Sequence, residues 1–70
     1  MEIIVKSNLK SVRNAKGISV RKLAELSGCS NSYISDIENG YANPTIYIIC
    51  VLAAALEVRP EELFSYEVIG

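Results

Sequence analysis

The sequence predicts a mainly α-helical fold, a five-helix bundle to which the two ends of the chain add a small antiparallel two-stranded ribbon. Apolar residues recur at helical spacing in five segments, and capping residues or glycines bound most of them. The apolar share of 50% is enough for a core, and the charged share of 21% is ordinary for a globular protein. The 70 residues make a single domain, 1–70. A chain this short hides only about 60% of its unfolded surface, so we expect dimerisation or another support.

The first two helices have clear start and stop signals. Ser7 is expected to cap a helix over about residues 8–16, and Gly17 supplies a left-handed stop. Ser19 caps the second helix, and Gly28 ends it. Their predicted apolar positions are Leu9, Val12, Val20, Leu23 and Ala24.

Three further helices follow by the same signals. Ser30 caps the third helix, and Gly40 follows its last turn. Thr45 caps the fourth, which runs to about Glu57. Pro60 fits the first turn of a short fifth helix that reaches residue 63 or 64.

The two ends of the chain have β character. "MEIIVK" at the start and "LFSYEVIG" at the end are short and rich in β-branched or aromatic residues. Paired as an antiparallel ribbon, they would place Ile3 and Val5 on one face and Ile4 on the other. Such a ribbon is only marginally stable without a helix layer beneath it.

The joint "SGCS", residues 27–30, lies between the second and third helices and lets them cross steeply. Ala24 is small enough for the close approach, and Gly28 accepts the positive φ of the turn. The residues expected to face inward are Leu23, Cys29, Ile34 and Ile37. The third helix then presents a polar row to the outside, consisting of Asn31, Ser32, Tyr33, Ser35 and Asp36.

A row of this kind can read base edges in DNA. Amides and hydroxyls match the donors and acceptors of the major groove, a tyrosine ring can contact a thymine methyl, and Asp can accept from cytosine N4. The helix starts at Ser19 and Ser30 offer backbone N–H groups to phosphates, and Arg21 and Lys22 lie beside the first of them. An ordinary helical hairpin with a polar solvent face remains the alternative from spacing alone.

Charge is distributed unevenly although the net charge is only −1. Residues 1–22 contain six Lys or Arg residues against one Glu, a net +5. Residues 23–70 contain one Arg against seven acidic residues, a net −6. This asymmetry indicates an anionic partner for the first part of the chain, with solvated charges on helix faces as the alternative.

The segments just described occur together in a familiar order. "LKSVR", "LAELSG", "YISDIENG", "NP" and "LEVRPEELF" follow one another at a spacing that resembles the Cro/repressor-type helix-turn-helix family of bacterial and phage regulators, also called the xenobiotic-response-element family. The resemblance covers about residues 7–64. It implies a helix-turn-helix over 19–39 with a recognition helix over 30–39, and sequence-specific binding of double-stranded DNA.

The resemblance also implies roles for individual residues. It implies an ion pair between Arg13 and Glu38 that ties the first helix to the end of the third. It places Asn31, Ser32, Tyr33 and Asp36 at or beside base-reading positions. Together with the capped helix starts, it predicts a phosphate-contact set of Ser19, Val20, Arg21, Lys22, Ser30, Asn39 and Asn43.

Three positions depart from the family pattern. Val20 stands where Gln often bonds a phosphate, and it offers only its backbone N–H. Ser27 replaces a commonly apolar residue and is expected to weaken the packing of the second helix slightly. Asp36 stands where Gln, Arg or Lys is more common. Its carboxylate has to pair with cytosine N4 or an Arg, or it lowers the affinity.

We expect a homodimer on a near-palindromic operator, since two recognition helices about 34 Å apart read successive major grooves. Repression by occlusion is the expected outcome, with activation open. The predicted interface is the C-terminal part, with Val58, Leu63, Phe64 and Tyr66, although a core role for Leu63 is equally open. Asn43 and Pro44 could join it.

Other function classes find less support. The chain has no His, no metal-like cluster and no glycine-rich phosphate loop, so we expect no enzyme, no metal and no cofactor. No small-molecule ligand is evident. The main rival is a protein-interaction module of the antitoxin or anti-repressor type on the same fold.

No apolar run is long enough to span a membrane and no signal peptide is recognisable, so a cytoplasmic protein is expected. Cys29 and Cys50 are expected to fill the core, with a redox switch as the alternative.

Overall fold

The computed structural model describes residues 1–70 and contains four α-helices and one two-stranded antiparallel sheet. In chain order the elements are β1 (Glu2–Ser7), α1 (Leu9–Ala15), α2 (Val20–Ser27), α3 (Asn31–Glu38), α4 (Ile46–Leu56), a 3₁₀ turn (Pro60–Glu62) and β2 (Phe64–Ile69). No helix is both long and apolar enough to cross a membrane.

The predicted fifth α-helix is wrong, because residues Pro60–Glu62 form only one turn of 3₁₀ helix. Its backbone bond runs from Leu63 N–H to the Pro60 carbonyl, at 3.0 Å. The chain is already extended at Phe64, where β2 begins, so no room is left for a second turn. Pro60 does occupy the first turn, as predicted.

The helix caps follow the sequence in three of four cases. The hydroxyls of Ser19, Ser30 and Thr45 accept from the backbone N–H groups of Lys22, Tyr33 and Ile48 at 3.0, 3.1 and 3.2 Å. At α1 the capping position is Asn8, which makes no side-chain cap bond. Ser7 lies one residue earlier, and its hydroxyl accepts from Leu9 N–H at 3.3 Å.

One apolar core joins all four helices to the turn before β2. Each helix contributes at least one fully buried side chain, and Leu63 adds one from the end of the 3₁₀ turn. The core consists of Leu9, Leu23, Ile34, Ile37, Leu52, Ala53, Leu56 and Leu63. A backbone bond of 2.7 Å from Asn8 N–H to the Leu63 carbonyl holds the base of the ribbon against this core.

The ribbon pairs the two ends of the chain, as predicted. Its register opposes Ile3 to Val68 and Val5 to Tyr66, so these four side chains share one face. Ile4 lies on the other face, opposite Glu67. That second face also carries an exposed ion pair between Lys6 and Glu67, at 2.7 Å.

The two cysteines differ in environment. Cys29 is half-buried and packs against the core, in agreement with the predicted filler role. Cys50 is exposed, so the same prediction is wrong for it. Its position on α4 lies two residues before Leu52 and six before Leu56, which turns it away from the face that these leucines bury.

Candidate nucleic-acid interface

The joint between α2 and α3 is closed by Gly28 and Ser27. Gly28 adopts a φ of 77°, and its N–H donates to the Ala24 carbonyl at 2.9 Å. The Ser27 hydroxyl donates to the Leu23 carbonyl at 2.7 Å and accepts from Cys29 N–H at 3.2 Å. Ser27 therefore satisfies backbone groups on both sides of the turn. Sequence reasoning regarded this residue only as a loss of packing and missed that role.

The orientation of α3 is fixed from the side by an ion pair with α1. The Arg13 guanidinium donates from Nε to Glu38 Oε2 at 2.7 Å and from Nη2 to Oε1 at 3.1 Å. Its Nη1 donates to the Ile18 carbonyl at 2.9 Å. The two charged side chains are only 10% and 6% exposed. The resemblance implied this pair, and the third bond, to the loop before α2, could not be read from the sequence.

Hydrogen bonding to Glu38 raises the pKa of Arg13 above its ordinary value. Desolvation is the second largest effect and lowers the pKa, while the attraction of the carboxylate charge is the smallest effect and raises it. Arg13 therefore stays charged throughout the physiological pH range.

The outward surface of α3 carries most of the predicted polar row. Asn31, Ser32 and Asp36 are exposed. Ser35 is half-buried, and Tyr33 is half-buried with part of its ring packed against the core. Tyr33 is thus less free to reach a base than the sequence suggested, because its ring also fills space beside the core.

The loop after α3 is hydrogen-bonded to the last turn of the helix. The Asp36 carbonyl accepts from the N–H groups of Tyr41 and Ala42, at 2.8 and 3.2 Å. Asn39, the C-terminal capping residue, is exposed, and Asn43 in the following loop is exposed as well. Both predicted phosphate contacts therefore lie on the surface, on the segment between α3 and α4.

The start of α2 places four of the five remaining predicted phosphate contacts on one turn of helix. Ser19, Arg21 and Lys22 are exposed, whereas Val20 is half-buried and packs against the core. Ser30 is exposed at the start of α3. Arg21 forms no ion pair, and Lys22 has only a distant one with Glu25, at 3.9 Å between exposed groups.

The ion pairs reduce the positive charge that is free to meet an anion. Of the six cations in residues 1–22, Arg13 is neutralised inside the protein and Lys6 is paired with Glu67 on the ribbon. Apart from Lys22, the cations that no carboxylate neutralises are Lys10, Lys16 and Arg21. The net +5 counted from the sequence therefore overstates the charge available for binding.

Residues 9–63, from the first residue of α1 to the end of the core, match the helix-turn-helix family HTH_3. The chain belongs to this helix-turn-helix family. The resemblance to Cro/repressor-type regulators, inferred from the motifs, is confirmed.

Several transcriptional regulators are similar to this helix-turn-helix chain. The regulator SlrR of Bacillus subtilis is 42% identical over 60 residues, which are 84% of this chain and 40% of SlrR. The control protein C.SmaI of Serratia marcescens is 34% identical over 62 residues, 89% of this chain and 74% of C.SmaI. This chain spans about two fifths of the length of several curated regulators that it matches.

A solved structure gives the same result for the fold. The restriction-modification controller protein C.AhdI of Aeromonas hydrophila has a TM-score of 0.76 and is 42% identical. The similarity covers 79% of this chain and 83% of that one.

The four residues of the predicted dimer interface differ in how much surface they leave free. Leu63 is fully buried in the core of its own chain, so it has no surface with which to contact a partner. Val58 and Phe64 are half-buried and pack against the same core. Tyr66 is 69% exposed, which leaves it as the one predicted interface residue with a mostly free side chain.

Proposed function

We propose that this protein is a transcriptional regulator that binds double-stranded DNA sequence-specifically, as a homodimer on a near-palindromic operator, and represses by occlusion. The observation that carries the proposal is the rigid exposure of Asn31, Ser32 and Asp36 on α3, whose orientation the buried pair of Arg13 and Glu38 holds. Membership of the helix-turn-helix family and the similarity to named transcriptional regulators support it.

In this proposal α3 enters the major groove. Asn31, with an amide that both donates and accepts, forms a bidentate contact with a base edge, and Ser32 reads a neighbouring base. Asp36 accepts from cytosine N4, an amino donor in the major groove that suits a carboxylate acceptor. Tyr33 contributes the exposed part of its ring to an apolar contact.

Phosphate contacts position the helix. The N–H groups at the starts of α2 and α3, beside Ser19 and Ser30, donate to phosphate oxygens, with Val20 contributing its backbone only. Arg21 and Lys22 supply charge on the first turn of α2. Asn39 and Asn43 bind the backbone from the loop after α3.

A homodimer follows from the small number of bases that one recognition helix can contact. Two copies of α3, about 34 Å apart, read successive major grooves on one face of the duplex. A bound dimer blocks access to the same DNA for other proteins, which is repression by occlusion.

The second candidate is a protein-interaction module that uses this fold without DNA. Two observations favour it. The exposed carboxylate of Asp36 lies among the polar residues of α3, and residues 1–22 contain only a small number of unpaired cations. An exposed carboxylate with few free cations nearby in the chain suits a basic protein partner better than a polyanion.

The experiment that separates the candidates is selection of bound sites from a random duplex library at two salt concentrations. Recovery of an inverted repeat with half-sites about one helical turn apart supports the dimeric regulator and gives its operator. Absence of enrichment, with weak binding that disappears at moderate salt, contradicts the proposal and directs the search to protein partners.

A further inference from the structure

The helix α4 is apolar on all sides although one side of it faces solvent. Its sequence, "IYIICVLAAAL", contains no charged residue, and the Tyr47 hydroxyl is its one polar side-chain group apart from the Cys50 thiol. Leu52, Ala53 and Leu56 are buried in the core. A helix that is apolar all round is ordinarily buried all round, so the solvent side of α4 lacks a partner.

The exposed residues of α4 form a defined surface, here called the α4 face, consisting of Ile46, Tyr47, Cys50 and Ala54. Ile46 is 80% exposed and Tyr47 is 75% exposed, and both Cys50 and Ala54 are exposed. With 3.6 residues per turn, Tyr47, Cys50 and Ala54 fall on the side of the helix opposite Leu52 and Leu56. Contiguous exposed apolar surface of this kind marks an interaction site.

We propose that the α4 face is the surface through which two copies of this chain associate. The inference rests on the proposed homodimer and deepens it by naming the interface. In a two-fold symmetric dimer the same surface of both copies meets. The α4 face carries no charge, so two such faces do not repel each other. The same lack of charge makes the face unsuitable for phosphates.

The place of α4 in the chain fits this role. Its first residue, Ile46, follows the short loop that leaves the end of α3, and the loop is tied back to α3 through the Asp36 carbonyl. A contact between two α4 helices therefore couples the two recognition helices through one short, hydrogen-bonded segment. Such a coupling is what a fixed half-site spacing needs.

The available area is sufficient for a weak, reversible dimer. Ile46 and Tyr47 are 80% and 75% exposed, and Cys50 and Ala54 are exposed beside them on the helix. Since an aromatic side chain buries about 150–250 Å², these four residues offer roughly 450 Å² per copy. Two copies bury about 900 Å² in total, which lies in the range of weak, reversible interfaces.

The apolar face of the ribbon is the competing surface. Its members Ile3, Val5 and Val68 are 52–58% exposed, and Tyr66 is 69% exposed. They already shield one another in the cross-strand pairs of Ile3 with Val68 and Val5 with Tyr66. Less apolar surface per residue is therefore left to bury there than on the α4 face.

Two matched substitutions separate the surfaces without DNA. Sedimentation of the full chain over a range of concentrations gives the dimer dissociation constant of the wild type, Tyr47→Glu and Tyr66→Glu. We expect Tyr47→Glu to raise the constant by about a hundredfold or more, because each dimer would bury two carboxylates. Tyr66→Glu should leave it nearly unchanged. Circular dichroism on both variants establishes that they are folded, as expected for side chains that are 75% and 69% exposed.

The native thiols supply a second readout. If the α4 face is the interface, alkylation of Cys50 slows as the protein concentration rises through the dissociation constant, while alkylation of the half-buried Cys29 keeps the same rate. Peptide mass spectrometry measures the two sites in one sample. In Tyr47→Glu the Cys50 rate should no longer depend on concentration.

Three results would overturn the inference: dimerisation of Tyr47→Glu as in the wild type, dissociation of the Tyr66→Glu dimer alone, or a dimer in which Cys50 reacts as fast as in the monomer. A wild type that stays monomeric at all concentrations would overturn it together with the homodimer. A stable dimer with a protected Cys50 that selects no DNA site would instead contradict the proposed function and leave the interface standing.

Discussion

Arg13 and Glu38 meet through two parallel hydrogen bonds, Nε to Oε2 at 2.7 Å and Nη2 to Oε1 at 3.1 Å, in a setting where the side chains are 10% and 6% exposed. The fork of the guanidinium matches both carboxylate oxygens, so the pair fixes an angle as well as a distance. Because Arg13 lies on α1 and Glu38 on the last turn of α3, the pair fixes the orientation of α3 relative to α1.

Glu38→Ala should lower the free energy of unfolding by about 3–5 kcal/mol, since it leaves the Arg13 charge buried without its partner. Urea denaturation followed by circular dichroism measures the change. The double variant Arg13→Met/Glu38→Leu should recover most of the loss, because it removes the unpaired charge.

The exposed pair of Lys6 and Glu67 on the ribbon is the control for this prediction. Its side chains are 56% and 53% exposed, so Glu67→Ala should cost no more than about 1 kcal/mol. If Glu38→Ala proves as mild as Glu67→Ala, the buried pair does not hold α3.

Glu57→Gly should stabilise the protein by about 0.5–1 kcal/mol. Glu57 follows the last residue of α4 and is the one non-glycine residue with a positive φ, 58°. An L-residue pays roughly 1–2 kcal/mol there, and the greater freedom of Gly in the unfolded chain offsets part of the gain. Thermal unfolding of the two proteins measures the difference.

Glu57→Ala serves as the comparison, since Ala retains the Cβ that causes the strain. It should bring no gain from the backbone. A Gly variant less stable than the wild type would indicate that the Glu57 carboxylate itself stabilises the native state.

Asn31→Ala should weaken binding to the selected operator by about 1–3 kcal/mol and relax the preference at one base position, as loss of a bidentate base contact requires. Competition binding against operators changed one position at a time measures both effects. Asn14→Ala, on the exposed surface of α1, is the matched control and should bind as the wild type does. An equal loss on all DNA sequences would make Asn31 a positioning residue.

Arg21→Ala should weaken binding to every DNA sequence and reduce the slope of log K against log salt by about one unit, because one phosphate contact is lost. Titrations at four or more salt concentrations give the slope. Arg59→Ala, in the acidic part of the chain beside Glu61, should leave the slope unchanged. If the slopes of the two variants agree, Arg21 does not contact a phosphate.

Local signals in the sequence were reliable where a particular residue type is required by the backbone, as at helix caps and left-handed turns. Ser19, Ser30 and Thr45 cap their helices as predicted, because a hydroxyl at this position accepts from a backbone N–H of the first turn that has no other partner. Gly28 adopts the left-handed conformation at the end of α2, which glycine accepts without strain. The alternation in β1 likewise predicted that Ile3 and Val5 share one face of the ribbon and that Ile4 lies on the other.

Other assignments failed because they depended on distant parts of the chain. Pro60 is typical of the first turn of a helix. The helix ends after one turn because Phe64 pairs with Ser7 in the ribbon. For Leu63 the sequence left an interface role and a core role equally open, and the packing of the helices places it in the core. Cys50 resembles a core filler until the orientation of α4 turns it to solvent.

The number of long helices, three of their four caps, the joint before α3 and the family could all be predicted, since each depends on residues near one another in the chain. Folding settles which cations stay free, and it places Leu63 wholly and Tyr33 partly in the core. It also leaves an uncharged side of α4 uncovered. These features were not predictable because burial and ion pairing depend on neighbours that folding brings together. The side of a helix that is apolar all round, such as α4, cannot be assigned to core or surface before those neighbours are known.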